Sequence, residues 1–221
     1  MSALARGRFI TLEGIEGAGK STVTAALTRE LTTAGIVVRS TREPGGTPLA
    51  EKIRRVVLER GEERVSPETE TLLMFAARAI HLDNLVRPAL ARGEWVLCDR
   101  FTDATRAYQG AGRGIDAQFI ESLAGAVHRG LEPDLTLLLD LPVEMGLARA
   151  RQRRLAAGEA VVDRFEAETR QFFERVRVGY LEIARREPQR CRVLDATRSP
   201  AEVCAAAIDV MRGLDFRGSE T

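Results

Sequence analysis

The sequence predicts an α/β fold: a five-stranded parallel sheet with helices on both faces and a short arginine-rich lid. Three observations carry this. Short apolar runs alternate with helix-like runs along the 221-residue chain, the pattern of βαβ units. The run Leu135-Thr136-Leu137-Leu138-Leu139-Asp140-Leu141 is almost wholly apolar, as a strand covered on both faces must be. The first strand passes through a glycine-rich loop straight into a helix, which places a ligand site at the C-terminal ends of the strands.

Taken in order, residues 9–13 form the first strand. A helix follows from Ser21 to about Ala34 and stops at Gly35. Residues 36–41 are the second strand. After the turn Pro44-Gly45-Gly46, residues 47–58 are helical. Ser66-Pro67-Glu68 starts a long helix to about Ala91, with Pro67 at the first helical position, where its missing N–H costs nothing. Residues 95–99, 135–141 and 191–195 are the remaining strands, and 200–212 the last helix. There is no repeat, linker or low-complexity run, so residues 1–221 read as one domain; only Gly218 to Thr221 look frayed.

The loop Gly14-Ile15-Glu16-Gly17-Ala18-Gly19-Lys20-Ser21 matches G-x-x-x-x-G-K-[ST] at every specified position and lies between strand and helix, as that motif requires. Glycines let the backbone turn tightly and point N–H groups inward, and the helix N-terminus adds partial positive charge. These residues and Thr22 are therefore the expected nucleotide-phosphate cradle of a P-loop NTPase fold. Lys20 reaches toward the β/γ-phosphates, and Ser21 offers a hydroxyl to Mg²⁺. Of 33 basic residues only Lys20 and Lys52 are lysine. The chain uses arginine wherever a solvated cation serves, and lysine where a compact ammonium must fit a backbone loop.

Bulk numbers exclude other classes. A net charge of +1 gives no reason to expect a nucleic-acid or membrane partner. Three cysteines without paired spacing read as reduced thiols of a cytoplasmic protein. Residues 1–8 have no apolar stretch of signal-peptide type, and no apolar run reaches membrane-span length.

Chemistry is expected after the strands. Asp99 closes an apolar strand, where a carboxylate holds Mg²⁺ or its water shell, and Arg100 beside it can grip a phosphate. Arg149, Arg151, Arg153, Arg154 and Arg164 form a local basic excess, with Arg149 and Arg153 on one helix face. The stretch from Leu155 to Glu159 reads as a flexible interruption, so residues 149–165 are expected to be a mobile flap that brings cations onto the transferred group. Phe75 and Arg78 share a helix face. His81 and His128, the only histidines, read as structural.

Taken together these motifs resemble thymidylate kinase. The resemblance rests on Glu13-Gly14 into the P-loop, Thr41-Arg42-Glu43-Pro44-Gly45-Gly46-Thr47, Phe75-Ala76-Ala77-Arg78-Ala79, Asp99-Arg100-Phe101, Thr105-Arg106-Ala107-Tyr108-Gln109-Gly110 and Pro133-Asp134-Leu135-Thr136, in order over nearly the whole chain. It implies a kinase moving the γ-phosphoryl of ATP onto dTMP, with Mg²⁺, in dTTP synthesis, and a homodimer. It implies that Phe75 stacks on thymine, Arg78 bonds its exocyclic oxygen, Thr105 and Gln109 meet the base edge, and Tyr108 packs by the sugar. Glu16 would hold the 3′-hydroxyl, and Glu43 falls in the same acceptor set. Arg42, Arg54 and Arg100 would bind the acceptor phosphate, and Arg198 would lie against adenine. The P-loop contains no arginine, so the chain resembles the bacterial type, with catalytic arginines among Arg149, Arg151, Arg153 and Arg154 of the lid beside Lys20 and Arg100. Phe101 and Ala104 depart from the polar residues common in the family. The other reading of the same residues is a P-loop kinase for another nucleoside monophosphate or small acceptor. A nucleotide switch fits less well, because the chain offers an acceptor set rather than loops that report to a protein surface.

Overall fold

The structure is a computed structural model that describes residues 6–59, 61, 63–158, 164–165 and 168–214. The expected frayed end at Gly218 to Thr221, and Glu159 with residues 160–163 of the lid, lie outside the described residues.

Five strands form one parallel sheet in the order β2-β3-β1-β4-β5. They are β1 (Phe9–Glu13), β2 (Val38–Arg42), β3 (Trp95–Asp99), β4 (Leu135–Asp140) and β5 (Cys191–Asp195). Every pairing is parallel, with Thr11 opposite Cys98 on one side and Thr136 on the other. The three central strands are buried almost throughout, and the edge strands β2 and β5 are largely exposed. This accounts for the polar sequence of β2, Val-Arg-Ser-Thr-Arg: an edge strand needs only one apolar face. Side chains of β1 and β3 divide between two cores. Ile10, Leu12 and Leu97 join the large cluster that includes Leu27, Val176 and Met211, whereas Phe9, Val96 and Cys98 pack with Leu82, Val86 and Leu90.

The helices are α1 (Lys20–Thr33), α2 (Pro48–Leu58), α3 (Pro67–His81), α4 (Arg87–Ala91), α5 (Thr102–Thr105), α6 (Ala117–His128), α7 (Val143–Ala157), α8 (Arg170–Arg186) and α9 (Pro200–Arg212). α1 ends as expected. Gly35 has φ 79°, its N–H reaches the Thr32 carbonyl, and the Ile36 N–H reaches the Leu31 carbonyl. This closure takes Ile36 back onto the helix, so β2 starts at Val38 rather than at Ile36.

The long helix expected over 67–91 holds its course but changes pitch. A π turn, Leu82–Val86, separates α3 from α4. Pro88 is the cause: without an N–H it leaves the Asn84 carbonyl without its usual donor, and the ladder widens to keep the rest paired. A second π segment, Arg106–Gly112, follows α5. The sequence reading assigned nothing to α6, to α8 or to this segment. The apolar spacing of Phe172, Phe173, Val176, Tyr180 and Ala184, all buried, is the signal that would have found α8. The expected interruption at Leu155 is corrected. α7 continues through Ala157, because Leu155, Ala156 and Ala157 are strong helix formers, and it ends at Gly158 with φ 69°.

Candidate active site

The glycine loop leaves β1 through Gly14, Gly17 and Gly19, with φ of 132°, 75° and 94°. At two of these a side chain has no room. A Cβ on Gly14 would lie 2.5 Å from the Leu139 carbonyl oxygen, and one on Gly17 would overlap the carbonyl oxygen of Gly146 on α7. Ile15 and Ala18 are buried in the core, so this loop presents backbone rather than side chains to a ligand. Lys20 folds back along it, and Nζ donates to the Gly14 and Ile15 carbonyls at 3.1 and 3.2 Å. It lies 3.9 Å from Asp99 Oδ1. Burial, and then Arg100, push the Lys20 ammonium below the ordinary lysine range. An anion here would favour its charged form.

Asp99 Oδ1 is buried and has no hydrogen-bond partner among the described residues. Asp99 and Ser21 line the same groove, beside Arg42 and Glu51. A hydroxyl and an unpartnered carboxylate oxygen suit Mg²⁺, which takes hard oxygen ligands and keeps several of its waters. Thr22 is exposed on the other side of α1, near Pro200 and Cys204.

Beside the loop opens a cavity whose lining includes Glu16, Glu43, Arg54, Arg78, Arg100, Thr105, Tyr108 and Gln109. These are eight of the ten expected acceptor residues, drawn from five parts of the chain. Phe75 is not among them. Its ring is 2% exposed and packs on Ile120 and Ala124, with the Arg78 guanidinium 4.7 Å over it. The preceding residue, Met74, lines the cavity instead. One position moves a helical side chain by about 100°, and this is enough to turn Phe75 into the core. Arg42 also lies outside the cavity, exposed, with its guanidinium on Glu51 at 3.1 Å. It still acts on the cavity. Burial pushes the Arg54 pKa down, and Arg42 and then Arg100 push it further, so three guanidiniums repel one another around this space. An anion among them would relieve that repulsion.

The loop after β3 holds Arg100 in a left-handed conformation, φ 71°, a strain typical of functional positions. A buried network holds the side chain. Nη2 donates to Glu16 Oε1 at 2.7 Å and Tyr108 Oη at 3.0 Å, and Nη1 donates to Tyr180 Oη at 3.1 Å. Tyr180 in turn donates to Glu13 Oε2 at 2.8 Å, while Glu13 Oε1 accepts the Phe101 N–H at 2.7 Å. Glu13 is fully buried, and burial with the nearby Asp103 charge raises its pKa to about 7. Glu13 and Tyr180 were absent from the expected site. Tyr180 lies on the unassigned α8, and Glu13 sat among apolar strand residues.

Glu43 lines the cavity, but both of its carboxylate oxygens are taken up by Arg78 and His81. Its Oε2 accepts from Arg78 Nε at 2.6 Å, and Oε1 meets His81 Nδ1 at 2.9 Å. Burial raises the Glu43 pKa, but Arg78 and His81 outweigh it and hold it below the usual range. Arg78 Nη2 donates to the Phe101 carbonyl and to Thr105 Oγ1, and Nη1 is buried with no hydrogen-bond partner among the described residues. His81 is structural as expected, with Nε2 on Thr41 Oγ1 at 2.8 Å. Glu43, His81 and the buried Cys98 thiol lie close enough to hold a metal ion, but Arg78 already occupies one oxygen of Glu43. Phe101 and Ala104 line the cavity as apolar walls.

The lid arginines are on α7. Arg149 Nη1 donates to the Ala196 carbonyl at 2.9 Å, at the end of β5, two residues before the exposed Arg198. Arg151 and Arg153 are exposed, and Arg154 is half-buried. Arg164 differs from them. Its backbone N–H and its Nε bond the Leu58 and Val57 carbonyls, and Nη2 lies 2.7 Å from Glu70 Oε2. This docks Phe165 against the cavity, edge-on to Tyr108.

A glycine loop between strand and helix with Lys20 folded along it, beside an arginine-lined cavity, defines the class as P-loop nucleotide kinases. Comparison with known proteins narrows the class. Residues 12–207 match the family model described as thymidylate kinase. A thymidylate kinase of Pseudomonas syringae pv. syringae is 57% identical over 199 residues, 90% of this chain and 92% of the relative. One from Alkalilimnicola ehrlichii is 54% identical over 206 residues, 93% of this chain and 92% of the relative. The crystal structure of thymidylate kinase from Ehrlichia chaffeensis superposes with a TM-score of 0.75 at 32% identity, covering 93% of this chain and 99% of that one. The chain belongs to the thymidylate kinase family, and the reading as a kinase for a different acceptor is not favoured. Among the described residues no helix is long and apolar enough to cross a membrane.

Proposed function

We propose that this chain transfers the γ-phosphoryl group of ATP to dTMP, giving dTDP and ADP. The observation that carries the reading is the cavity itself: Arg54 and Arg100 line one part of it, and Arg78, with an unpartnered buried N–H, lines another. A nucleotide needs both, cations for its phosphate and a donor for its base. The P-loop backbone and Lys20 hold the donor phosphates, and Lys20 offsets charge that builds on the transferred group. Arg100, fixed by Glu16, Tyr108 and Tyr180, holds the acceptor phosphate, supported by Arg54 and, from the rim, Arg42. Glu16 is placed to take the sugar hydroxyl, with Tyr108 beside it. Ser21 and Asp99 would hold Mg²⁺, which would supply positive charge against the phosphates. No covalent intermediate is needed; in-line positioning and electrostatics suffice.

Residues 149–165 act as the lid. Arg149 is tethered beside β5, so the exposed Arg151 and Arg153 are the arginines best placed to swing toward the phosphates, with Arg154, one turn away from Arg151 on the same helix, left in the lid set, and Arg198 is assigned to the adenine. The protein is read as a cytoplasmic homodimer of single-domain subunits. The test is an acceptor panel with ATP and Mg²⁺. Turnover on dTMP should exceed that on CMP and GMP, and a clear preference for CMP or GMP would sink the thymine reading.

A further inference from the structure

Glu70 was in no expected site. It lies in the first turn of α3, is 1% exposed, and faces four donors from two distant segments. Gln109 Nε2 donates to Oε1 at 2.6 Å. Arg113 approaches both oxygens at 3.4 and 3.3 Å, and Arg164 Nη2 lies 2.7 Å from Oε2. A helix N-terminus welcomes a carboxylate, but full burial against two guanidiniums and an amide is more than a helix start requires.

The Gln109 bond has a consequence. A carboxylate only accepts, so the amide NH₂ must face Glu70 and the carbonyl Oε1 must point the other way. Gln109 lines the acceptor cavity, and no described residue donates to that oxygen. Across the same cavity Glu43 orients Arg78 in like manner and leaves Nη1 as an unpartnered buried donor. Two of the side chains that line the cavity, Arg78 and Gln109, are therefore each oriented by a buried glutamate.

We propose that Glu70 is a positioning residue for base choice: by taking the Gln109 N–H it turns the Gln109 carbonyl toward the cavity, to pair with the N–H of a 4-oxo, N3–H pyrimidine. Thymine and uracil carry that edge. Cytosine reverses it, with an N4 amine facing Arg78 and a bare N3 facing Gln109 Oε1. A polar site leaves such a mismatch unpaired and rejects it strongly. Arg113 and Arg164 keep Glu70 an acceptor, and Arg164 ties the same carboxylate to the lid's return. The inference rests on the dTMP kinase reading.

The test uses the full chain with ATP and Mg²⁺, comparing kcat and KM on dTMP and dCMP. Glu70→Gln lets the Gln109 amide turn either way. The expected result is a KM for dTMP raised about tenfold with a smaller change in kcat, and a dTMP-to-dCMP ratio of kcat/KM reduced about tenfold. In a Gln109→Leu background the same change should alter the ratio no further, because the oxygen it orients is gone. A lowered Tm with an unchanged ratio would make Glu70 merely structural and overturn the proposal. Should Glu70→Gln fail to fold, Glu70→Asp keeps the charge for both arginines but withdraws the oxygen from Gln109, and an unchanged ratio there also overturns it. A wild-type enzyme inactive on dTMP overturns both this inference and the functional reading, whereas wild-type selectivity retained in the variants overturns this inference alone.

Discussion

Lys20 carries its charge at a cost. It is 8% exposed, and Asp99 lies 3.9 Å from its ammonium. Burial lowers its pKa, and the carbonyls of Gly14 and Ile15 hold the ammonium in place for a phosphate. Lys20→Ala should therefore lower kcat at least about 1,000-fold, or about 4 kcal/mol of transition-state stabilisation. Steady-state kinetics checks this, and near wild-type turnover would refute the role. Glu13 makes a second prediction at this scale. Its pKa is raised from 4.5 to about 7, so the folded state holds a proton that the unfolded chain has released. The stability this adds is fully present below pH 4.5 and is lost as pH rises through 7, by at most about 1 kcal/mol per pH unit. Unfolding measured between pH 4 and 8 should show Glu13→Gln gaining on wild type across that window and levelling above it; parallel profiles would exclude the effect.

Between elements, the P-loop packs closely against α7. A Cβ on Gly146 would lie 2.7 Å from the Glu16 carbonyl oxygen and 2.8 Å from Ile15 Cδ1. Gly146 is thus the point where the helix bearing the lid arginines rests on the phosphate loop. Gly146→Ala should destabilise the fold by about 1–3 kcal/mol and raise KM for ATP more than for dTMP, because it displaces the loop rather than the cavity. Calorimetry and two-substrate kinetics check both, and equal effects on the two KM values would show that the joint does not set the loop. Elements with local signals were legible in the sequence. Gly35 ended α1, and Ser66 with Pro67 opened α3, where the Ser66 hydroxyl accepts the Thr69 N–H at 3.2 Å. The π segment at Arg106–Gly112 was not legible, since that widened turn reflects what the neighbouring backbone and packing demand, whereas the one at Leu82–Val86 had a local signal in Pro88. The segment at Arg106–Gly112 brings Tyr108 and Gln109 to the cavity, and α8 supplies the Phe172, Phe173 and Tyr180 rings around Tyr108.

For the whole molecule the open question is assembly. Leu49 and Val56, seven residues apart on α2, are 53% and 59% exposed, and Leu72 on the adjoining α3 is 49% exposed. Exposed large apolar side chains on two packed helices are of the kind that copies of a chain bury. Sedimentation at micromolar concentration should give a dimer, and Val56→Asp with Leu72→Asp should shift it toward monomer. A monomeric wild type would reject the homodimer, and a variant still dimeric would move the interface elsewhere.

The sequence by itself determined the chemistry that depends on local order. The glycine loop needs its residues consecutive, and the strand-end Asp99-Arg100 pair needs only a strand before it, so both could be read directly. Family motifs then named the acceptor residues, eight of which do line one cavity. Only the tertiary structure decided which way side chains face and what holds them. It turned Phe75 into the core and Met74 to the cavity, made Glu43 a support for Arg78, tied Arg164 to Glu70, and put Tyr180 and Glu70 behind the lining residues Arg100 and Gln109, with Glu13 behind Tyr180. Each of these depends on contacts between residues far apart in the chain, such as Tyr180 with Glu13 at a separation of 167 positions. No local spacing encodes such contacts; they exist only once the sheet and helices have packed.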